Sequence, residues 1–315
     1  MRNLPKYKYQ SGQALLVVVL IMAVALVVVL SIASRSTTDI SKTTYDENAL
    51  RAFSAAEAGI EDALLKNSGA GATSTVNIDT NANVSYTSVV APATTTDTFN
   101  HPGPIVSGQS RTFWFVSHGG DGSLTCSGGL PCTRANQMEV CWGASGTADN
   151  TPQTPAIELT MYYDDSVGKL STASPNNYQS VKTYRFAYDP QAGRRGSNSF
   201  SSTSGSCSFN PGSYAFSTGT INLNSYLPAS CPTTAGGGCL VMLKVRALYN
   251  TATAQSVGLY VHNTSGAAVL PAQGTQVDST GTAGDSTRKV SVFRSYAEPQ
   301  SVFDAGVFSL NDLTK

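Results

Sequence analysis

The sequence predicts an α+β protein in which a long N-terminal helix, with a membrane half and an amphipathic half, packs on a mainly antiparallel β head domain. Three observations lead to this fold class. An uncharged apolar run long enough to cross a bilayer lies near the N-terminus, a helical pattern continues beyond it, and the later part of the chain alternates with the period of two that strands show.

The first element is the apolar run at residues 14–33, which no charged residue interrupts. A helix needs about twenty apolar residues to cross the hydrocarbon core of a bilayer, so this run predicts a transmembrane segment. The preceding residues 1–12 contain three basic residues and no acidic one. Because positive flanks stay on the cytoplasmic side, we expect a single pass of the cytoplasmic membrane, with the N-terminus inside and the rest of the chain exported.

Three kinds of export signal compete for this segment: an uncleaved signal anchor, a secretory signal peptide cut after Ala33, and a leader cut after Gly12. The apolar core of a secretory signal peptide has about 7–15 residues, which is shorter than this run. A secretory signal also gives way to an extended cleavage region, whereas here the helical pattern continues. Both features disfavour the secretory signal peptide.

The second half of the helix covers residues 35–66, where no proline occurs and opposite charges recur one turn apart. Apolar residues share one side at helical spacing and need a covering surface. Phe53, Ile60 and Leu64 belong to this apolar side. Residues 13–66 are therefore expected to form one helix about 80 Å long, at about 1.5 Å per residue.

A helix that is too long for one bilayer can exchange lipid for a bundle of identical helices without exposing its apolar half to water. Association of such helices depends on close side-chain packing, which small residues allow. Ala14, Ala23 and Ala25 are the small residues that we expect at these contacts.

The N-terminal region resembles the export signal of type IV pilins in three features. These are a short basic leader that ends in glycine, an apolar run directly after it, and an amphipathic extension of the helix. The stretch Arg51-Ala-Phe-Ser-Ala-Ala-Glu-Ala resembles an Ala-Phe-x-Ala-Ala-Glu-Ala element in the helix of PilX-type minor pilins. The resemblance covers residues 1–66. It implies that the second half of the helix packs on the sheet of the head, which would bury Phe53, Ile60 and Leu64. It implies that prepilin peptidase removes the leader, residues 1–12, by cutting after Gly12, and that Gln13 is the N-methylated first residue of the mature chain.

One position departs from the pattern of major pilins, which carry glutamate at the fifth mature position, where it helps to register a new subunit against its neighbour. Here that position is Val17. The resemblance therefore implies a minor pilin or pseudopilin, located at the tip or initiating assembly, rather than the main repeating subunit. Its implied partners are other pilin subunits, bound through the N-terminal helix, the prepilin peptidase, and the cytoplasmic membrane before assembly.

Beyond the helix, residues 67–104 are rich in serine and threonine and are predicted to form a linker or variable loop, with one or two strands within 75–90. Residues 105–315 are predicted to form a disulfide-braced, β-rich extracellular head, in which clusters of Gly, Pro, Asn and Asp separate the strands. The apolar residues of 302–310 suggest a closing strand or a tail against the head. The segments predicted as strands are 112–116, 137–142, 156–163, 181–188, 241–249, 256–262 and 289–296.

The chain contains six cysteines, all in the predicted head: Cys126, Cys132, Cys141, Cys207, Cys231 and Cys239. No Cys-x-x-Cys motif occurs and the three histidines lack ligand spacing, so an exported chain favours three disulfides over a zinc site. The two short loops favour local bonds, Cys126 with Cys132 and Cys231 with Cys239, which leaves Cys141 with Cys207. The other connectivities stay open at this point.

Composition and motifs give no indication of catalysis or of nucleic-acid binding. The chain has 20 basic and 20 acidic residues, so it lacks the basic field that neutralises phosphates. No nucleophile-elbow, zinc-protease or phosphate-loop motif occurs, and neither a cofactor nor a metal is predicted. Asp164, Asp165 and Asp189 are interpreted as turn residues at strand ends, and Arg194-Arg195 as an exposed loop pair. We therefore expect a protein that is not an enzyme.

The sequence thus predicts a structural and interaction function. A true pilus and a secretion or competence pseudopilus fit the pattern equally well. The favoured hypothesis is a minor pilin or pseudopilin that assembles through its helix into a filament and displays its head at the cell surface for assembly, adhesion or uptake. The main alternative is a surface-anchored adhesin or binding protein whose uncleaved helix never polymerises, and the second alternative is a secreted hydrolase.

Overall fold

The computed structural model describes residues 11–66, 72–81, 83–93, 96–126, 129–164, 181–209, 212–229, 231, 239–264 and 266–298. The described residues form two compact units. The first unit takes its residues from Met1–Lys66, Thr73–Val89 and Asp278–Ser291, and the second from Asn67–Ala72, Val90–Val277 and Val292–Lys315. Each unit therefore combines segments that lie far apart in the sequence.

The described elements are one long helix, one short helix, one 3₁₀ turn and a series of strands. In chain order they are α1 Ser11–Leu65, β1 Thr73–Asp79, β2 Val84–Pro92, β3 Thr98–Asn100, β4 Ser110–Trp114, β5 Ser117–His118, β6 Leu124–Thr125, β7 Gln137–Ala144, β8 Ala156–Asp164, β9 Val181–Tyr188, α2 Ala192–Asn198, β10 Cys207–Phe209, β11 Gly212–Ser217, β12 Ile221–Asn222, the 3₁₀ turn Leu223–Ser225, β13 Leu240–Leu248, β14 Val257–Asn263, β15 Gly266–Ala267, β16 Gly274–Ala283 and β17 Ser286–Ser295. The pairs of these strands whose register is described are antiparallel. The long N-terminal helix and the mainly antiparallel sheets confirm the predicted α+β class.

Helix α1 has 55 residues and contains no proline, and its bounds agree with the predicted range 13–66 within two residues. Its polar middle is rich in threonine, a residue whose hydroxyl competes with the backbone for hydrogen bonds. Here the hydroxyls bond back to carbonyl oxygens one turn earlier, as Thr38 Oγ1 does to Ser34 O at 2.9 Å and Thr44 Oγ1 to Ile40 O at 3.0 Å. The helix therefore runs through this segment without a break.

The sheet of the first unit has the strand order β1-β2-β16-β17. It consists of two hairpins that come from opposite parts of the chain. Gly284 and Asp285 form the tight turn between β16 and β17, and Gly284 has a φ of +53°. Glycine suits this position because a positive φ carries no steric cost without a Cβ. Ser85 Oγ and Thr282 Oγ1, 2.8 Å apart, join the two hairpins.

The second unit is a β-sandwich. One sheet has the order β10-β11-β7-β14-β15, with β12 also paired to β7 and β3 to β14, and the other has the order β4-β13-β8-β9. Both sheets contribute to one hydrophobic core, and the side chains at its centre are at most 1% exposed. Its centre includes Phe113, Trp142, Leu159, Leu243 and Leu259, from five different strands. Two antiparallel sheets that bury their inner faces against each other define this architecture.

Three disulfides lie in the second unit, and they join Cys126 to Cys132, Cys141 to Cys207 and Cys231 to Cys239. The Cα atoms of the three pairs are 5.3, 6.3 and 5.4 Å apart, within the usual range for this bond. This is the pairing that the short loops favoured. The bond between β7 and β10 reaches across β11, and it therefore joins strands that are not hydrogen-bonded neighbours.

Each of the seven segments predicted as strands in the head overlaps a strand of the structure. The segment 67–104, predicted as a linker or loop, contains β1, β2 and β3, and the first two coincide with the strands expected within 75–90. The short helix α2 occurs where no helix was predicted. The predicted closing segment 302–310 lies outside the described residues.

Candidate functional site

The apolar half of α1 is exposed on all sides. The fifteen large apolar side chains from Leu15 to Ile32 are between 49% and 70% exposed. A half-exposed side chain of this size costs about 1 kcal/mol in water, so together these side chains cost about 15 kcal/mol, which is at the upper end of the free energies of unfolding of native proteins. This half is therefore unfavourable in water, and α1 is long and apolar enough to cross a membrane, as an anchor or a signal does.

Two of the small residues predicted at assembly contacts lie on different sides of α1. At about 100° per residue, Ala23 and Ala25 are about 160° apart around the helix axis, and the side chain of Ala14 lies outside the described part of the structure. Ala23 forms part of a shallow apolar groove, between Leu20 and Val27 along the helix. Such a groove accepts a side chain of a neighbouring helix in the manner of a knob in a hole. Two contact sides suit a helix that has more than one neighbour.

The predicted processing residues Gly12 and Gln13 lie in the first turn of α1, which begins at Ser11. Val17 follows about one turn later and is 49% exposed. Valine at this position continues the apolar surface, and it offers no carboxylate that could pair with an amine of a neighbouring chain. Residues 1–10 of the predicted leader lie outside the described residues.

The C-terminal half of α1 packs on the sheet of the first unit through small residues. Its buried face consists of Ala52, Ala55, Ala56, Gly59, Ile60 and Ala63. Of the residues predicted to face the head, Ile60 is 7% exposed, Leu64 is half-buried, and Phe53 is 44% exposed. The prediction is wrong for Phe53, because the face that meets the sheet includes Ala52, and consecutive helix residues point about 100° apart.

Two glycines bring α1 and the sheet into close contact. A Cβ on Gly281 of β16 would overlap the carbonyl oxygen of Ala52, and a Cβ on Gly59 would overlap Ser279 Oγ and lie 2.7 Å from Cδ2 of Tyr86. Real Cβ atoms essentially never approach a neighbour within 3.0 Å. Sequence reasoning missed this contact. One sequence feature could have indicated it: Gly59 lies inside a predicted helix, and the alanines around it recur at spacings of three and four residues.

A polar link stands beside this contact. Asp62 Oδ2 accepts a hydrogen bond from Lys66 Nζ at 2.8 Å, and the carboxylate is also bonded to the Tyr86 hydroxyl. The hydrogen bond from Lys66 lowers the pKa of Asp62, and the bond from Tyr86 lowers it further. Burial raises the pKa of Tyr86, and so does the bond to Asp62. The link therefore joins α1 to β2 with Asp62 ionised and Tyr86 protonated at neutral pH.

The acidic residues that the sequence placed at strand ends have different environments. Asp189 directly follows β9 and accepts a hydrogen bond from the Gln191 N–H at 2.9 Å, as a turn residue does, but it is also fully buried. Its carboxylate accepts bonds from Arg194 Nη2 at 2.7 Å and Nε at 2.9 Å and from Asn198 Nδ2 at 2.7 Å. Although burial raises the pKa of Asp189, these bonds outweigh it and hold the pKa below its usual value. Asp164 is 4% exposed in β8, and Asp165 lies outside the described residues.

The interpretation of Arg194 as half of an exposed pair is therefore a further error. Its side chain is 18% exposed, and its guanidinium lies 3.9 Å from the ring centre of Tyr249. It also donates to the carbonyl oxygens of Pro152 and Thr154, at 3.1 and 2.8 Å. This ion pair holds α2 and the loop before β8 together, so we assign it a role in stability.

Glu139, Cys141 and Cys207 bring potential metal-ligand atoms within 4.8 Å of one another. Both sulfur atoms belong to one disulfide, so neither can provide the thiolate that a metal binds. Glu139 accepts a hydrogen bond from the hydroxyl of Ser217. This group therefore fits a disulfide with a neighbouring carboxylate better than a metal centre.

The geometry defines a class of protein with one long exposed apolar helix, a helix–sheet unit at the end of that helix, and a β-sandwich. No family model matches the chain, and neither a curated protein nor a solved structure matches it. The function is therefore argued from the helix, the sheets and their residues.

Proposed function

We propose that this chain is a minor pilin or pseudopilin, cleaved by a prepilin peptidase after Gly12 and assembled through α1 into a type IV pilus or a related filament. One observation carries the proposal. A single helix of 55 residues combines an apolar half that is exposed on all sides with a half that is docked on a sheet through small residues.

The length of α1 favours this function over a plain membrane anchor. An anchor needs about twenty residues to cross a bilayer. Beyond Ile32, α1 continues to Leu65, which adds about 50 Å at about 1.5 Å per residue. Its end is docked on the sheet of the same unit, so the apolar half extends from that sheet in a fixed direction. A fixed direction is useful when many copies pack side by side at one angle, and it gives no advantage to a lone anchor.

The surface of the apolar half supports assembly with other pilin subunits. Before assembly, lipid of the cytoplasmic membrane covers this half, with the N-terminus inside the cell. In the filament, neighbouring helices replace the lipid, and the small residues on two sides of α1 allow close approach. Val17 provides no carboxylate for registering an incoming subunit, which supports a minor position, such as the tip, rather than the repeating position.

The first test is the N-terminus of the mature chain, measured by mass spectrometry of material sheared from cells. We expect a peptide that begins at Gln13 and carries an N-methyl group. Replacing Gly12 by valine should abolish this peptide, whereas Ser11→Ala should preserve it. A chain that begins at Met1 would support the alternative of an anchored adhesin, and a chain that begins at Ser34 would overturn the proposal.

A second test addresses assembly itself. Ala23→Leu fills the groove on α1, whereas Ala33→Leu adds the same side chain near the end of the apolar run as a matched control. We expect A23L to reduce the amount of this protein in sheared filaments at least fivefold relative to its amount in membranes, and A33L to leave the ratio close to that of the wild type. Equal ratios for both variants would argue against a helix contact at Ala23.

A further inference from the structure

A pocket of about 390 Å³ opens in the second unit beside strand β4. Its lining residues come from three segments, 101–103, 111–114 and 293–298. The volume falls within the range of about 300–1,000 Å³ that is typical of small-molecule sites. The function proposed above makes no use of this pocket.

The guanidinium of Arg111 is fixed in the pocket wall. Its Nε donates to Gly103 O at 3.0 Å, its Nη2 to Pro104 O at 3.1 Å and its Nη1 to Ser110 O at 2.9 Å. A guanidinium has five N–H groups, so these bonds leave at most two of them for a ligand, on different nitrogen atoms. Arg111 therefore offers pre-oriented single donors, which match separate hydroxyl oxygens.

Two further polar groups line the pocket. Thr112 is 7% exposed, and its Oγ1 makes no hydrogen bond within the part of the chain that the structure describes. A buried hydroxyl without a partner is destabilising, and a ligand hydroxyl can provide the missing partner. His101 Nδ1 accepts a bond from the Gly103 N–H at 3.1 Å, so its proton lies on Nε2. Burial, and then the charge of Arg111, lowers the pKa of His101 to about 4, so the ring is neutral at physiological pH.

The apolar part of the wall is aromatic and held in place. Gln273 bonds through its side-chain amide to both backbone groups of Trp114, at 2.7 and 2.8 Å, and so takes the place of a neighbouring strand. Tyr296 stacks on His118, with ring centres 3.8 Å apart. Phe293 also lines the pocket. Rigid aromatic rings provide large apolar contacts at little cost in conformational entropy.

We infer that this pocket binds a neutral saccharide, of the size of a mono- or disaccharide. Arg111 and Glu298 carry opposite charges, so the pocket has no net charge to attract an anion or a cation. Its separate donors and acceptors match several hydroxyl groups, and its aromatic side chains match the apolar C–H face of a sugar ring. A lipid chain would offer no hydrogen-bond partner to the remaining N–H groups of Arg111 or to the hydroxyl of Thr112, which disfavours it.

The test uses the full chain in phospholipid nanodiscs, because detergents with sugar headgroups would compete for the pocket. Binding to a panel of free mono- and disaccharides, phosphorylated sugars and free amino acids is measured by saturation-transfer NMR and then by calorimetry for the compounds that bind. Thr112→Val removes only the unpartnered hydroxyl, and Glu298→Gln removes only a charge on an exposed side chain. Glu57→Gln, on α1 and outside the pocket, is the matched control for the second variant.

We expect at least one neutral saccharide to bind, T112V and E298Q each to weaken it about tenfold, and E57Q to leave its affinity unchanged. T112V should unfold at the same denaturant concentration as the wild type or a higher one, so its loss of binding will not reflect misfolding. The absence of binding across the panel, equal affinities for wild type and both pocket variants, or preference for free amino acids or phosphorylated sugars would each overturn the inference.

Discussion

Replacing Gly281 by alanine should loosen α1 from the sheet of the first unit. A Cβ at this position would overlap the carbonyl oxygen of Ala52 and lie 2.5 Å from the nitrogen of Ala56, whereas Cβ atoms normally stay at least 3.0 Å from such neighbours. Both neighbours are backbone atoms, so no change of rotamer relieves the overlap. The helix and β16 must therefore move apart.

The expected cost follows from three contributions. Inserting a methyl group into a packed contact costs about 1–3 kcal/mol. Moving the helix away by about 1 Å forfeits up to half of the dispersion energy of the contacts along it, which adds about 1 kcal/mol. In the opposite direction, alanine gains about 0.5–1 kcal/mol over glycine in a strand. We expect G281A to lower the free energy of unfolding of the first unit by about 2 kcal/mol.

Hydrogen exchange of the full chain in nanodiscs measures this effect directly. Amides of residues 52–63 and of β16 should exchange about thirtyfold faster in G281A, which corresponds to about 2 kcal/mol. Gly120→Ala is the matched control, because a Cβ at Gly120 meets nothing within 4 Å. Wild-type protection of both segments in G281A would refute the reasoning that backbone contact holds the helix on the sheet.

Two further predictions concern the second unit. Burial lowers the pKa of both His101 and His118 to about 4, whereas the unfolded chain takes up these protons near pH 6.5. The free energy of unfolding should therefore have its full value above pH 6.5 and fall as the pH decreases towards 4, by about 2 kcal/mol for each histidine after allowance for partial exposure. Denaturation curves recorded at a series of pH values measure this fall, and replacing both histidines by glutamine should make it smaller. Replacing Cys141 and Cys207 by serine should lower the free energy of unfolding, measured by chemical denaturation, by about 4 kcal/mol, because this disulfide closes a loop of 66 residues. Removing either of the other two disulfides, which close loops of 6 and 8 residues, should cost about 2 kcal/mol. The reverse order would contradict the loop-entropy argument.

Local sequence patterns were sufficient to predict the helix and the strands, but not to predict which strands pair with each other. The helix and the strands could be predicted because their signals, an uncharged run and a period of two or of about 3.6, lie within a few residues. The sheet of the first unit joins hairpins from opposite parts of the chain, as the bond between Ser85 and Thr282 shows at a separation of 197 residues. The sequence between them contains no local signal for this pairing.

The errors at single residues have the same physical origin. Phe53 was predicted to be buried because it is large and apolar, but the sheet accepts α1 through its smallest residues, and Gly281, which makes this contact possible, lies far away in the sequence. Asp189 was interpreted as a turn residue because it follows a strand, and the structure has this turn, but its burial was not predicted. Its burial depends on Arg194 and on the ring of Tyr249, which only the fold brings together.

The two halves of α1 differ in the size of the side chains that they present to their surroundings. The half from Leu15 to Ile32 presents large side chains on all sides, which suits surroundings that change from lipid to other helices. The half from Ala52 to Ala63 presents alanine and glycine, which suits a single fixed surface, because small side chains bring the two backbones together and leave few rotamers to rearrange. In the proposed filament, force on the apolar half would therefore pass to the sheet through backbone contacts. A variant that separates these backbones, such as G281A, should then weaken retention of the subunit in sheared filaments even though it changes no residue of the apolar half.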